Sequence, residues 1–177
     1  MGRPVYVGGP EDFVKKIWIR GVHTRNSIRS RGKRSTRMKN HRTVLTSMVF
    51  KLLAPAGATA PVGVELRFES RNPYEVSLAF SAGSGGHVEW VLARDLLADG
   101  LMIDSGEGDV RVGPDASDPA VIVVSLSSPS GQATFEADAE QLVDFLNRTY
   151  DVVPPGKEHQ WMSIDEALAR MLPHDLY

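Results

Sequence analysis

Cysteine is missing from the 177 residues. Its absence removes disulfides, thiolate zinc sites and a cysteine nucleophile, and it fits a chain that works in a reducing cytoplasm. Long apolar runs are missing as well. No stretch approaches the roughly 20 apolar residues that cross a bilayer. The best N-terminal candidate, FVKKIWIRGV, carries three positive charges where a signal peptide has an apolar core. The sequence therefore reads as a soluble, intracellular protein. Acid is scarce at the start: up to Lys51, 13 Lys and Arg face only Glu11 and Asp12, a local net of +11, whereas Leu52 to Tyr177 carries −13. Such a split separates a basic extension, residues 1–42, from an acidic folded body, residues 43–177.

The basic extension has almost no apolar periodicity; RGVHTRNSIRSRGKRSTRMKNHR is mostly Arg, Ser and Lys. It buries too little to offset the entropy of ordering, so disorder is its default. Three readings fit it: an electrostatic arm for nucleic acid or an anionic membrane, a solvated tail, or a chain whose native start is Met38 or Met48.

Periodicity is clear in the body. TVLTSMVFKLLA, Thr43 to Ala54, is β-branched enough for a strand, although its length also permits a helix. VGVELRFES places Val62, Val64, Leu66 and Phe68 on one face and Glu65, Arg67 and Glu69 on the other, the period of a half-buried strand. After the turn signal RNP, Tyr74, Val76, Leu78 and Phe80 alternate, and so do Val88, Trp90 and Leu92. ARDLLADGL then predicts a short helix with Gly100 as its C-terminal cap.

The plan repeats with a weak strand at LMID, a short strand at DVRV, a longer one at AVIVVSLSS, and QATFEA after a PSG turn. DAEQLVDFLNRTYDVV predicts a helix capped by Asp138 and stopped by Pro154-Pro155, and SIDEALARML predicts a last helix with a Ser163–Glu166 capping box. Strands followed by a helix, twice over, give an α+β fold built on antiparallel meanders.

Three features imitate active sites. AGSGG, with Ser84, nearly matches the nucleophile elbow, but that motif needs a strand entering a helix, and strands flank this one on both sides. His23, His41, His87, His159 and His174 stand singly, without metal-site spacing. DSGEGDVRVGP has glycines at 106, 108 and 113, yet a strand follows where a phosphate loop needs a helix N-terminus. A turn explains its glycines better. Glu107 or Asp109 as a general acid would also need a partner and a pocket, and the sequence shows neither.

Four segments in order, VELRFESRNPYEVSLAF, VEWVLARDLLADGL, GEGDVRVGP and FLNRTYDVVPPGKEH, resemble the SsgA-like proteins, an actinobacterial family of sporulation and cell-division regulators. The resemblance runs from about Thr43 to Leu172 and leaves the basic extension uncovered. It implies a whirly-like fold: two antiparallel sheets of about four strands, each followed by a helix, plus a C-terminal helix, associating as a trimer. It implies no enzymatic activity, cofactor, metal or small-molecule substrate. Its SsgB-like members position the tubulin-like protein FtsZ and promote its assembly at the septum, so a cytoplasmic chain recruited there is expected.

Among positions matching the family pattern, Arg94, Asp95, Asp109, Arg148 and Glu158 are the candidates for a partner surface, with local pairing or solvation at the start of its helix the blander role for Arg94 and Asp95. The glycine-rich loop SAGSGGH and the stretch MIDSGEGDV depart from the family pattern and leave the branch open. The competing reading is a whirly-like single-stranded nucleic-acid binder using the basic arm. It needs stacking aromatics, and Phe68, Tyr74, Phe80, Trp90, Phe135 and Phe145 fall mostly on inward phases. The intact mass of natively expressed protein separates the readings of the arm: a start at Met38 or Met48 removes it, and the full mass retains it.

Overall fold

The computed structural model describes residues 40–54, 57–82, 86–129 and 131–162. The expected basic extension up to residue 39, the loop around Ser84 and the last predicted helix lie outside these residues. Within them run β1 (Thr43–Leu53), β2 (Thr59–Glu69), β3 (Glu75–Ala82), β4 (Gly86–Ala93), α1 (Arg94–Gly100), β5 (Val110–Pro114), β6 (Val121–Ser128), β7 (Gly131–Asp138) and α2 (Ala139–Val152). A 3-10 turn follows at Glu158–Gln160.

Alternation does what the sequence predicts. Val64, Leu66 and Phe68 of β2 and Val76, Leu78 and Phe80 of β3 are buried, while Glu65 and Arg67 between the former face solvent. Each large apolar side chain so buried contributes about 1.5–3 kcal/mol. Asp138 caps α2 by accepting from the Gln141 amide at 2.9 Å. The helix then buries Leu142, Val143, Phe145 and Leu146, spaced as one helical face.

The two expected four-stranded sheets are instead one antiparallel seven-stranded sheet, ordered β4-β3-β2-β1-β7-β6-β5. The halves fuse where β1 meets β7, through the pairs Lys51–Glu136, Leu52–Phe135 and Leu53–Thr134. Lys51 and Glu136 also form an ion pair across this seam. The weak strand at Leu101–Asp104 is a turn, because the Met102 and Ile103 amides both donate to the Asp99 carbonyl. Only Ser105 bridges to the sheet, opposite Val112.

The sheet is curled. Laid flat, its terminal strands β4 and β5 would lie about 29 Å apart, yet α1, which leaves β4 directly and spans about 10 Å, packs on β5. Phe80 of β3 and Phe135 of β7 have ring centroids 4.7 Å apart, with Phe50 of β1 edge-on to both. The core fills the inside of the curl.

Two inward phases fail at the margins. Tyr74 precedes β3 and is 47% exposed, and Val88, on the terminal strand, is 52% exposed. Gly100 is no left-handed cap: it closes α1, with Leu101 at the C-cap in ordinary helical conformation. Its lack of a side chain serves contact with β5, since a Cβ there would fall 2.4 Å from Val112 Cγ1 and 2.9 Å from the Val112 carbonyl oxygen. Gly100→Ala should therefore destabilise by about 1–3 kcal/mol through overpacking, outweighing a helix-propensity gain of about 1 kcal/mol at most. Thermal unfolding checks this: the melting temperature falls, whereas an unchanged or higher value would contradict the contact.

Candidate functional site

The most constrained polar group is Arg94, the first residue of α1. Its backbone amide donates to the Tyr74 carbonyl at 2.8 Å, which fixes the corner where β4 becomes helix. Its side chain turns inward and is 1% exposed. The guanidinium lies between two rings, 5.2 Å from the Phe68 centroid and 4.8 Å from that of Tyr150. Nη1 donates to the Val153 carbonyl at 2.8 Å, and Nη2 pairs with the Glu158 carboxylate. Nε has no hydrogen-bond partner among the described residues.

A buried arginine is tolerated because its charge is paired and its flat faces stack, each cation–π contact contributing about 0.5–2 kcal/mol. Burial pushes the Tyr150 phenol above its ordinary pKa, and the neighbouring Arg94 charge partly opposes it. Four pieces of chain meet at this point: the β4–α1 corner, β2, the end of α2 and the 3-10 turn.

The five candidate partner-surface residues thus separate. Arg94 and Glu158 are inside and bound to each other, 64 positions apart. For Arg94 the expected pairing is present, but in the interior and not on a solvated helix start. Arg148 is exposed on α2, yet it reaches its own sheet, donating from Nη1 to Thr46 Oγ1 at 2.8 Å and from Nη2 to the Leu45 carbonyl at 3.0 Å. It serves β1 beyond its three pairs with β7, on the side away from β2 where no described strand lies alongside. Asp95 and Asp109 remain on the surface. Asp95 sits in the first turn of α1, where a carboxylate suits the helix dipole.

Sequence reasoning missed the burial of Arg94. The signal was its phase: Arg94, Leu97 and Leu101 are buried at helical spacing.

The segment Asp104–Pro114 is a turn entering β5. Gly106 and Gly108 have φ of +101° and +91°, and Arg111 pairs with Asp104 at 2.8 Å in solvent. Gly113 answers to close approach, since a Cβ there would meet the Asp104 backbone at 2.9 Å. Among the described residues no group of His, Asp or Glu could hold a metal ion. A cleft of about 420 Å³ opens beside the β1–β7 seam, lined by Val49, Lys51, Pro61, Asp118, Glu136 and Asp138 among others. Most of the aromatics that a nucleic-acid platform would need are interior: Phe68, Phe80, Phe135 and Phe145 are all buried. Among the described residues the geometry is that of a brace between distant parts of the chain.

Comparison with known proteins gives a consistent result. Residues 62–158 match the family model described as "Streptomyces sporulation and cell division protein, SsgA". The chain is 57% identical over 140 residues to the sporulation-specific cell division protein SsgB of Saccharopolyspora erythraea, covering 78% of this chain and 99% of that one. It is 43% identical over 131 residues to SsgB of Streptomyces coelicolor, covering 73% and 96%. The crystal structure of an SsgA-like sporulation-specific cell division protein from Thermobifida fusca superposes with a TM-score of 0.67 at 36% identity, over 76% of this chain and 98% of that one.

The buried pair makes a definite energetic prediction. Arg94→Met or Glu158→Leu alone should cost about 3–5 kcal/mol, because each strands its partner, whereas the two changes together should recover most of that loss. Urea denaturation of the four proteins checks this. Additive losses in the double variant would show that the two side chains act separately.

Proposed function

Because the chain belongs to the SsgA family of sporulation and cell division proteins and is a homologue of SsgB, we propose that it acts as a non-enzymatic adaptor for cell division. In this reading it localises FtsZ and promotes FtsZ assembly at septum sites during sporulation. The observation that carries the reading is the 57% identity spread along 99% of the Saccharopolyspora erythraea SsgB chain. The site geometry supports it: the strongest polar constellation is sealed and structural, which leaves the surface as the working part.

The adaptor works in the cytoplasm and is recruited to the septum, as a homo-oligomer that we take to be a trimer. Among the described residues no helix is long and apolar enough to cross a membrane. The surface positions offered to partners are Asp95 and Asp109, since Arg94 and Glu158 are interior and Arg148 is engaged with β1. Direct nucleic-acid binding by the body is disfavoured by its acidity, which repels phosphate.

Co-sedimentation with polymerised FtsZ tests the adaptor role. The full chain should pellet with the polymer, and Asp95→Arg or Asp109→Arg should lower its apparent affinity about threefold or more without moving the melting temperature. Absence from the pellet, together with diffuse fluorescence of a tagged protein in sporulating cells, would overturn the reading.

A further inference from the structure

The two ends of the sheet are protected very differently. β5 is five residues long, contains Gly113 and Pro114, and is bridged at Val112 by Ser105 through reciprocal amide–carbonyl bonds of 2.8 and 2.9 Å. Shortness, proline and cover by another piece of chain each blunt a sheet edge. β4 is longer, lacks proline and has no such bridge among the described residues. It pairs with β3 in unbroken register over all eight residues, Gly86 to Ala93, without bulge or proline, and it ends the sheet with no described strand beyond it. It also exposes apolar side chains on both faces, Val88 at 52% on the inner face and Val91 at 55% on the outer.

A long, regular, unpaired edge with accessible valines on both sides is what an incoming extended chain pairs with. The charges nearby select among such chains. Glu89 stands beside Val91 on the outer face of β4, and with Glu69 and Glu75 it lines the shallow concavity into which Val91 opens. Arg67, the cation of that concavity, is ion-paired with Glu69. The balance is acidic, as it is over the whole body from Leu52 onward. A second copy of this chain would bring the same carboxylates against one another, which costs energy across a strand pair.

We propose that β4 is a strand-addition site for an extended segment of a partner protein in which apolar residues alternate with Lys or Arg. The segment lies along the outer edge of β4. Its main chain takes up the edge amides and carbonyls that no described strand engages, its apolar residues cover Val88 on the inner face, and its cations lie on the outer face, their stems over Val91 and their charges toward Glu89 and Glu75. This deepens the adaptor reading, since it rests on that reading for the purpose of an open edge; the site itself stands on the geometry alone.

The test uses the full chain and a fluorescent synthetic peptide of alternating valine and lysine, about eight residues long to match a typical strand, read by anisotropy. A copy of the peptide N-methylated at every residue keeps the side chains and charge but has no amide left to donate along either edge. The parent protein should bind the unmodified peptide, and methylation should weaken binding about tenfold or more. Val88→Lys with Val91→Lys should abolish binding, while Val49→Lys, equally exposed but on β1 and away from the edge, should leave it within about twofold. Equal binding of the methylated peptide, or equal loss with Val49→Lys, would overturn the proposal by showing general electrostatic attraction. Self-association that is lost in the Val88/Val91 variant, with no peptide bound by the parent, would overturn it in favour of a second copy. Peptide binding without FtsZ pelleting and with diffuse fluorescence in sporulating cells would keep this site and remove the adaptor reading; pelleting without peptide binding would do the reverse.

Discussion

A buried guanidinium ties together parts of this chain that are far apart in sequence. Arg94 begins α1 at the end of the first four strands, yet of the groups its guanidinium touches only Phe68 is from that half, while Tyr150, Val153 and Glu158 belong to the final segment. The β1–β7 seam that joins the halves is only three residue pairs long, too short to be more than marginal without support. Arg94 supplies that support from one side. From another, Arg148 of α2 reaches back to Leu45 and Thr46 of β1.

The helices complete the same logic by crossing over. α1 follows β4 but packs on β5, and α2 follows β7 but also packs on β1. Each half therefore carries the cover of the other, and the sheet must curl to let both contacts form. Gly100 belongs to this constraint because any side chain there would hold α1 off Val112. The curl also explains why Phe50, Phe80 and Phe135, from three strands, meet in one cluster. Among the described residues the largest polar side chain of the interior, Arg94, is committed to these ties, in a chain that belongs to a family of sporulation and cell division proteins.

Much of this was legible in the sequence. Alternation placed β2 and β3, and helical spacing with Asp138 placed α2, because a half-buried strand and an amphipathic helix write their burial into adjacent residues. The turn at Gly106 was legible for the same local reason. What was not legible is long-range. Nothing near Lys51 announces Glu136 as its neighbour, so two sheets were expected where three residue pairs make one. Tyr74 and Val88 share the inward phase but sit where the cover ends. Arg94 and Glu158 matched the family pattern and suggested a surface, whereas their 64-residue separation hid the fact that each exists to neutralise the other.

The central claim is that these ties make the two halves one cooperative unit. Native-state hydrogen exchange across a urea series, resolved by peptide, tests it most directly. The account predicts that the core amides of β3, in the first half, and β6, in the second, open with the same free energy and the same urea dependence. Opening of β6 and α2 at distinctly lower free energy, with β3 still protected, would contradict it.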